Sequence, residues 1–249
     1  MIKGLCPGAN SVATLIIPTI TAANDARVAT IIRNAEAIWI AGGDQSNYLN
    51  YWKGTAVQSA LQEQINKGVP IGGTSAGMNV LTQFIYSALA SQGVTSSQAL
   101  ADPFNRYMSF DRNFVTVPHL GGMISDPHFV TRDRMGRDLA FLGRLYLLGW
   151  STLNPPRTVS IDEQTALLID ETGVGTVVGS GLVYFLQAPG GPQVCTSKKP
   201  LTYRNIAVYR IGTGDTFDLT AWTGVGGDSY TVSAVAGVLE STQQNGNIY

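Results

Sequence analysis

The sequence predicts an α/β protein in which a parallel sheet is followed by a series of β-hairpins. Up to about residue 150, short apolar runs that end at Pro or Gly alternate with segments of helical periodicity. Strands that alternate with helices are typical of a doubly wound, mainly parallel sheet covered by helices on both faces. From residue 155 onward, short apolar runs follow one another with only Gly or polar turns between them, which predicts hairpins that extend the sheet. We therefore predict one domain over residues 1–249, with an α/β core at 12–150 and a β-rich extension of the same domain at 155–249.

The apolar runs of the core predict four strands and four helices. The strands are expected at residues 12–17, 37–41, 69–71 and 114–117. The helices are expected from residue 24 or 25 to about 33, at 55–67, from 76 to about 90, and at 129–148. In the second helix, Val57, Leu61 and Ile65 recur every four residues, and the pattern stops at Gly68. In the extension, strands are expected at 159–161, 166–169, 176–178, 182–185, 205–211 and 230–238.

The overall composition argues against several classes of partner. The formal net charge of −1 and the pI near 6.1 give no basic surface for nucleic acid. No apolar run approaches the roughly 20 residues that span a bilayer, so we expect no membrane association. The two cysteines do not have a metal-ligand spacing and there are only two histidines, so we expect no metal and no other cofactor.

The low charge content bears on the cellular location. Only 13% of the residues are charged, which is about half the usual share, so the surface must be rich in uncharged polar residues. This composition favours an extracellular protein, and a cytoplasmic one stays open. Cys6 and Cys195 are either two free thiols or a disulfide, and both alternatives stay open.

Residues 73–77 read Gly-Thr-Ser-Ala-Gly and place Ser75 in a Gly-x-Ser-x-Gly pattern. An apolar run precedes the pattern and helical periodicity follows it, which is the strand, turn and helix context of a nucleophile elbow. At a helix N-terminus, free N–H groups and the helix dipole favour a developing negative charge. The pattern therefore predicts a nucleophilic serine, and the alternative is a tight turn with a hydrogen-bonded core serine.

A serine nucleophile needs a base, which is usually a histidine oriented by a third group. His119 and His128 are the two candidates that the sequence offers, and His128 has the better setting because it lies in the loop that opens a predicted helix. Both histidines precede the carboxylates of the hairpin region. The order is therefore Ser, His, acid, and not the Ser, acid, His order of an α/β-hydrolase. Glu163 lies between two predicted strands and is the candidate acid, with an ordinary turn carboxylate as the alternative.

Four blocks of sequence, taken together, resemble one peptidase family. They are Gly42-Gly43-Asp44-Gln45, residues 72–77, Asp126-x-His128-Phe129 with the run 132–137, and residues 161–166. In this order and spacing, over about residues 12–211, the chain is similar to the cyanophycinase branch of the serine peptidases, a family that also includes the aspartyl dipeptidases. The resemblance implies an α/β fold of the class I glutamine-amidotransferase type, which is flavodoxin-like.

The resemblance also implies a catalytic role for five residues. Ser75 would be the nucleophile, His128 the base and Glu163 the acid that orients the base. The backbone N–H groups of Gly43 and Ala76 would form the oxyanion hole.

The substrate that the resemblance implies is cyanophycin, a polyaspartate backbone with arginine on its side-chain carboxyls, which is cut to β-Asp-Arg dipeptides. Guanidinium groups bind carboxylates in bidentate fashion, so Arg132, Arg134 and Arg137 are candidates for contacts with such a substrate. Gln45 and Asp126 are candidates for contacts with its cationic side chain. The alternative is that the arginine run forms a solvated helix face.

The chain departs from the family pattern at three places. Asp138 stands where the family usually has an apolar residue, so we expect the local helix packing to differ. Pro127 stands where intracellular cyanophycinases typically have glutamine, which leaves the identity of the substrate side chain open. The chain also lacks the strand and helix that family members carry upstream of residue 12. We expect another segment or a second subunit, as in a homodimer, to fill that gap, or the chain to be a fragment. Two functions stay open beside cyanophycinase: a dipeptidase acting on N-terminal aspartyl peptides, and a catalytically inactive relative that binds such peptides.

Overall fold

The protein is built around an eight-stranded mixed sheet. The computed structural model describes residues 8, 10–90, 92–150 and 155–249. Its helices are α1 (Ile20–Ala23), α2 (Ala26–Arg33), α3 (Gln45–Trp52), α4 (Ala56–Asn66), α5 (Ala76–Asn79), α6 (Ser96–Ala101) and α7 (Met135–Leu148), with a 3₁₀ turn at Gln244–Gly246. Its strands are β1 (Ile38–Ile40), β2 (Ile71–Gly73), β3 (Phe84–Tyr86), β4 (Phe110–Arg112), β5 (Met123–Pro127), β6 (Arg157–Ile161), β7 (Thr165–Ile169), β8 (Val174–Gly179), β9 (Val183–Gln187), β10 (Tyr203–Ile211), β11 (Thr216–Asp218), β12 (Thr223–Val225), β13 (Asp228–Val235) and β14 (Val238–Ser241).

Strand pairing is parallel close to the predicted nucleophile and antiparallel in the hairpins. The eight-stranded sheet has the order β14-β13-β10-β9-β6-β5-β3-β4, and β5 pairs in parallel with both β3 and β6. A separate parallel pair contains β1 and β2, and a four-stranded antiparallel sheet has the order β12-β11-β8-β7. The α/β fold class is confirmed. The main sheet is mixed and not mainly parallel, because hairpin strands extend it antiparallel beyond β6.

Two of the predicted helices are confirmed together with the residues that begin and end them. Asp25 accepts a hydrogen bond from the Arg27 N–H at 2.8 Å and caps α2, as short polar side chains commonly do at helix N-termini. Helix α4 begins after Thr55 and ends just before Gly68, whose φ of +77° is a backbone angle that favours glycine. The first five strands predicted in the extension also lie within two residues of β6 to β10.

Residues 12–17 do not form the predicted strand. In the structure this segment is not paired in any sheet. Its last carbonyl oxygen, that of Ile17, instead accepts a hydrogen bond from Trp52 Nε1 at 2.9 Å. Leu15 and Ile17 pack against the cluster that contains β1 and α4, whereas Ile16 is 85% exposed. The apolar run therefore marks a segment with one buried face, and it does not mark a ladder-forming strand.

The helix predicted at residues 76–90 is wrong beyond its first turn. Helix α5 ends at Asn79, and the fully buried residues Phe84–Tyr86 form β3. A short apolar run does not distinguish a buried strand from a buried helix. The strand predicted at 114–117 is also wrong, for the same reason: its short apolar run does not form a strand in the structure.

Residues 114–116 are held by side chains of α4 and not by strand pairing. The Gln58 amide donates to the Phe114 carbonyl, and the Gln62 amide pairs with both the N–H and the carbonyl of Thr116. The observed strand, β4, lies a few residues earlier.

Helix α7 begins at Met135, so residues 129–134 form a loop where a helix was predicted. With 14 residues it is the longest helix in the described part of the chain. None of the described helices is long and apolar enough to cross a membrane.

The hairpins share an apolar core with the main sheet. One cluster of buried side chains joins Met123 and Val159, from β5 and β6, to Phe217 and Leu219 at β11. Phe185 of β9 stacks on Phe217 with ring centroids 3.6 Å apart. The four-stranded sheet is therefore packed against the sheet that carries the predicted base.

Cys195 is buried against α7, since a Cβ atom added at Gly143 would lie 3.3 Å from the Cys195 Sγ atom. Cys6 lies outside the described residues. The choice between two thiols and a disulfide therefore stays open.

Replacing Phe217 by alanine should lower the free energy of unfolding by about 3–5 kcal/mol, because the change removes a buried aromatic ring and leaves a cavity. Urea unfolding followed by circular dichroism measures the change. Ile16→Ala is the control, because Ile16 is 85% exposed and its truncation should cost about 0.5 kcal/mol or less. A loss below about 1 kcal/mol for Phe217→Ala would contradict the shared core.

Candidate active site

Ser75 lies in a sharp turn between β2 and α5. Its φ of 54° and ψ of −117° are angles that a non-glycine residue adopts only at a cost of about 1–3 kcal/mol. Hydrogen bonds hold the turn, because the Thr74 N–H donates to the Ile40 carbonyl at 3.0 Å and the Asn79 N–H donates to the Ser75 carbonyl at 3.1 Å. The strained backbone therefore fixes the serine hydroxyl relative to β1 and β2.

The two glycines of the pattern allow this turn to pack closely. A Cβ atom at Gly77 would lie 2.0 Å from the Ile40 carbonyl oxygen, and one at Gly73 would lie 2.3 Å from the Gly77 carbonyl oxygen. Both distances are far below van der Waals contact, so any side chain would push α5 away from the strands. The spacing of glycines around Ser75 follows from this close approach.

Ser75, His128 and Glu163 are joined by two hydrogen bonds. His128 Nε2 lies 2.8 Å from Ser75 Oγ, and His128 Nδ1 lies 2.7 Å from Glu163 Oε1. A carboxylate can only accept, so Nδ1 carries the proton and Nε2 is left free to accept from the serine hydroxyl. The three side chains thus have the arrangement that activates a serine: a nucleophile, a base and an acid that orients the base.

The parallel pairing of β5 with β6 brings the candidate base, His128, and the candidate acid, Glu163, together. Pro127 and Ile161 are register partners at the carboxyl ends of these strands, so the residues that follow them emerge at the same edge of the sheet. The Phe129 N–H donates to the Ile161 carbonyl at 3.2 Å, and Asp162 Oδ1 accepts from the Val130 N–H at 3.1 Å. Asp162 therefore ties the loop after the base to the turn that carries the acid, a role that the sequence did not indicate.

The loop after β1 approaches the nucleophile. A Cβ atom added at Gly42 would lie 3.2 Å from the Cβ atom and 3.8 Å from the Oγ atom of Ser75. The Tyr48 hydroxyl lies 2.7 Å from the carbonyl oxygen of Ala41 and 3.2 Å from that of Gly42. Because C=O and N–H point in opposite directions in a trans peptide, Tyr48 helps to orient the Gly43 N–H. Sequence reasoning missed Tyr48, since no motif includes it.

Ala76 is the first residue of α5, and its N–H has no acceptor within its own helix. Gly43 and Ala76 therefore lie in the two segments that border Ser75. Their joint action as an oxyanion hole stays a prediction.

Asp126 and Arg137 are not available to a substrate in this structure. Arg137 is 4% exposed and donates from Nε to Asp126 Oδ2 at 2.6 Å and from Nη2 to Asp126 Oδ1. Arg134 Nη1 also donates to Asp126 Oδ1 at 2.8 Å and to the Pro127 carbonyl at 2.5 Å. In this structure, opposite charges on β5 and α7 therefore pair with each other in the interior, and the substrate contacts expected of Asp126 and Arg137 stay predictions. Burial opposes the charge on Asp126, but Arg137 and Arg134 hold its pKa below the ordinary value.

Asp138, which follows Arg137 on α7, belongs to the same buried cluster. It is fully buried and accepts a hydrogen bond from the Ser160 hydroxyl. Burial and the charge of Asp126 raise the pKa of Asp138 well above its ordinary value. The buried surroundings of Asp138 therefore disfavour its ionised form.

The other predicted substrate contacts lie nearer the surface. Arg132 is exposed and has no ion pair among the described residues, whereas the Arg134 side chain is 12% exposed and already paired with Asp126. Gln45 is half-buried, and its amide donates to the Tyr86 carbonyl at 3.0 Å. Substrate binding by these three residues stays a prediction, and Arg132 is the one of the two arginines without an ion pair in the part of the chain that the structure describes.

His119 takes no part in the chain of hydrogen bonds at Ser75. Its Nδ1 lies 3.1 Å from Thr220 Oγ1, and its Nε2 lies 3.2 Å from the Glu171 carbonyl oxygen. The second histidine therefore ties the core to the turns of the four-stranded sheet, and the choice of His128 as the candidate base agrees with the geometry.

Comparisons with known proteins give the same family as the sequence blocks. The model of peptidase family S51 matches residues 11–142, which is more than half of the chain. A cyanophycinase from Geminocystis herdmanii is 25% identical over 193 residues, which cover 75% of this chain and 64% of that protein. The chain thus spans less than two thirds of the length of this relative.

A solved structure shows the fold independently of close sequence similarity. The crystal structure of a peptidase from an acI-B1 Actinobacterium matches with a TM-score of 0.59 at 16% identity, covering 87% of this chain and 73% of that one. This likeness supports the fold, whereas the family model and the similarity to a cyanophycinase confirm the resemblance to that family. The chain belongs to peptidase family S51.

Proposed function

We propose that this protein is a serine peptidase in which Ser75, His128 and Glu163 are the nucleophile, the base and the orienting acid. One observation carries the proposal: two consecutive hydrogen bonds, of 2.8 and 2.7 Å, join three side chains from distant parts of the sequence. Membership of a peptidase family supports the same activity.

In the proposed reaction, Ser75 Oγ attacks the scissile carbonyl carbon while His128 Nε2 takes the hydroxyl proton. Glu163 accepts the hydrogen bond from Nδ1–H and stabilises the imidazolium. The N–H groups of Gly43 and Ala76 would bind the oxyanion, an interaction worth about 3 kcal/mol per donor in other enzymes. His128 then protonates the leaving amine, and water hydrolyses the acyl-enzyme with His128 acting again as base.

The substrate proposed first is cyanophycin, cut to β-Asp-Arg dipeptides. The similarity to a cyanophycinase supports it, and so does the exposed Arg132, which lies on the loop that begins at the base and whose charge suits substrate carboxylates. The low share of charged residues, 13%, supports an extracellular site of action.

A second candidate is a dipeptidase that acts on N-terminal aspartyl peptides. Two observations favour it: Pro127 replaces a glutamine of the cyanophycinase pattern, and the Asp126 carboxylate is fully engaged by two arginines. Both features leave the arginine side chain of cyanophycin without a partner that the family pattern would supply. A catalytically inactive, peptide-binding protein is the third candidate.

Incubation with insoluble cyanophycin and, separately, with α-aspartyl dipeptides distinguishes these candidates. Mass analysis that finds β-Asp-Arg from the polymer and no cleavage of the dipeptides supports the cyanophycinase, and the reverse supports the dipeptidase. If neither substrate is cut and a fluorophosphonate probe does not label Ser75, the protein is not an active peptidase.

Replacing Ser75 by alanine should abolish fluorophosphonate labelling and lower kcat by at least roughly 10⁴-fold, because no other group can form the acyl-enzyme. Labelling is read on a gel, and turnover is measured on whichever substrate the wild type cuts. Ser229→Ala is the matched control, since Ser229 is an exposed serine on β13. Labelling that persists in Ser75→Ala would contradict the assignment of the nucleophile.

Replacing Glu163 by glutamine should lower kcat by about 10²- to 10⁴-fold, because the neutral amide no longer stabilises the imidazolium or fixes its tautomer. We expect a fall near the lower end of this range, because the Glu163 side chain is 45% exposed and water shares in stabilising the imidazolium. KM should change little.

Glu171→Gln is the control for this change, because it alters an exposed carboxylate in the next turn of the hairpins. Turnover of that variant should stay within about twofold of the wild type. Unchanged turnover in Glu163→Gln would remove this residue from the triad.

A further inference from the structure

The base lies in a loop that needs external support. We use the name base loop for residues 128–134, between β5 and α7. His128 has a φ of 54° and Asp133 has a φ of 48°. Non-glycine residues keep such angles only where the surrounding structure over-determines them. The contacts of this loop therefore control where the His128 imidazole lies.

The first half of the base loop is held by residues already described. The Phe129 N–H binds the Ile161 carbonyl, and the Val130 N–H binds Asp162. The second half leads into α7, whose N-cap residue Arg134 makes no side-chain capping bond. The first N–H groups of a helix need acceptors from elsewhere.

Tyr249, the last residue of the sequence, supplies one of those acceptors. Its hydroxyl oxygen accepts from the Met135 N–H at 2.9 Å, and its O–H donates to Asp133 Oδ1 at 2.8 Å. The Tyr249 hydroxyl thus connects Met135, the first residue of α7, to Asp133, which has a positive φ in the base loop. Burial raises the pKa of Tyr249 above its ordinary value, so the hydroxyl keeps the proton that it donates.

The Tyr249 ring supports the residue next to the base. It packs edge-on against Phe129, with ring centroids 5.5 Å apart, and Phe129 is fully buried. Tyr184 of β9 contacts the other two rings at centroid distances of 4.9 and 6.2 Å. His128 is therefore followed directly by a side chain that is fixed between the main sheet and the end of the chain.

The segment that carries Tyr249 is itself anchored. The Tyr230 hydroxyl donates to the Ile248 carbonyl at 3.0 Å, and the Gln243 amide donates to the Asn247 carbonyl at 3.0 Å. The side chains of Ile248 and Tyr249 pack against the core that surrounds α7.

We infer that Tyr249 is a positioning residue for His128: it touches no reacting atom, and it holds the base loop so that Nε2 stays within hydrogen-bond distance of Ser75. This inference rests on the proposed function. It assigns a role to the segment after residue 211, which contains no catalytic motif.

The test compares Tyr249→Phe with the wild type. The variant keeps the ring packing and removes both hydroxyl bonds. The rate of Ser75 labelling by a fluorophosphonate should fall about 5- to 20-fold, because labelling depends on His128 as base. On a peptide substrate, kcat per folded molecule should fall by a similar factor while KM changes less than about twofold. The folded fraction is measured by circular dichroism, because a loss of folded protein would also lower the apparent kcat without changing KM.

Tyr203→Phe is the matched control, since it removes one hydroxyl bond, to the Gly190 carbonyl at 2.5 Å, from a buried tyrosine away from the base loop. Its labelling rate should equal that of the wild type. Asp133→Ala removes the acceptor of the Tyr249 O–H without changing the ring, and it decides the question if Tyr249→Phe does not fold.

The outcomes are distinct. A wild-type labelling rate in folded Tyr249→Phe, or in Asp133→Ala if the first variant does not fold, overturns the inference. An equal fall in Tyr203→Phe overturns it too, because the effect would then be general. Absence of labelling in the wild type contradicts the proposed function itself and not merely the role of Tyr249.

Discussion

The buried ion pair between Asp126 and Arg137 is the interaction on which the geometry of the site most depends. Asp126 lies near the end of the strand that leads to His128, and Arg137 lies on α7, so the pair fixes the base-bearing strand against its helix. Buried charges cost several kcal/mol in lost hydration unless their hydrogen bonds are satisfied. Arg137 lies over the Tyr86 ring at 5.2 Å, and Arg134 supplies a second cation to Asp126. Removal of Asp126 would leave both guanidinium groups without the carboxylate that they share, so the cluster depends most on this residue.

The strand and helix that this ion pair joins support backbone strain at Ser75 and His128, the proposed nucleophile and base. Ser75 and His128 both have a φ of 54°, and each such residue costs about 1–3 kcal/mol. The glycines at 73 and 77 let α5 pack onto β1, and the Arg134 guanidinium binds the Pro127 carbonyl just before the base. The strained backbone angles persist at these positions because close packing and hydrogen bonds hold the neighbouring backbone in place.

Sequence reasoning could select the proposed nucleophile and base because chemistry limits which residue types can take these roles. The glycines of Gly-x-Ser-x-Gly are required because a side chain there would clash with the neighbouring backbone, and with only two histidines in the sequence there is little choice of base. The same reasoning could not tell whether Asp126 and Arg137 bind a substrate or each other, since side-chain charge does not reveal which groups face inward. Periodicity also failed at residues 12–17 and 76–90, where short apolar runs are compatible with helix, strand or a buried loop. Contacts such as those of Tyr48 and Asp162 have no local signal, because they depend on loops that tertiary packing brings together.

The site also extends beyond the part of the chain that the family model covers. That match, residues 11–142, includes Ser75 and His128 and ends before Glu163. Glu163 lies at the turn between β6 and β7, so the hairpins contribute the proposed acid as well as core packing. The parallel register of β5 and β6 explains why this works: once the two strands pair, the acid must emerge beside the base whatever the later hairpins contain. Strand β6, the first strand of the β-rich extension, is thus a structural requirement of the proposed site, because without it His128 would lack Glu163, its proposed acid.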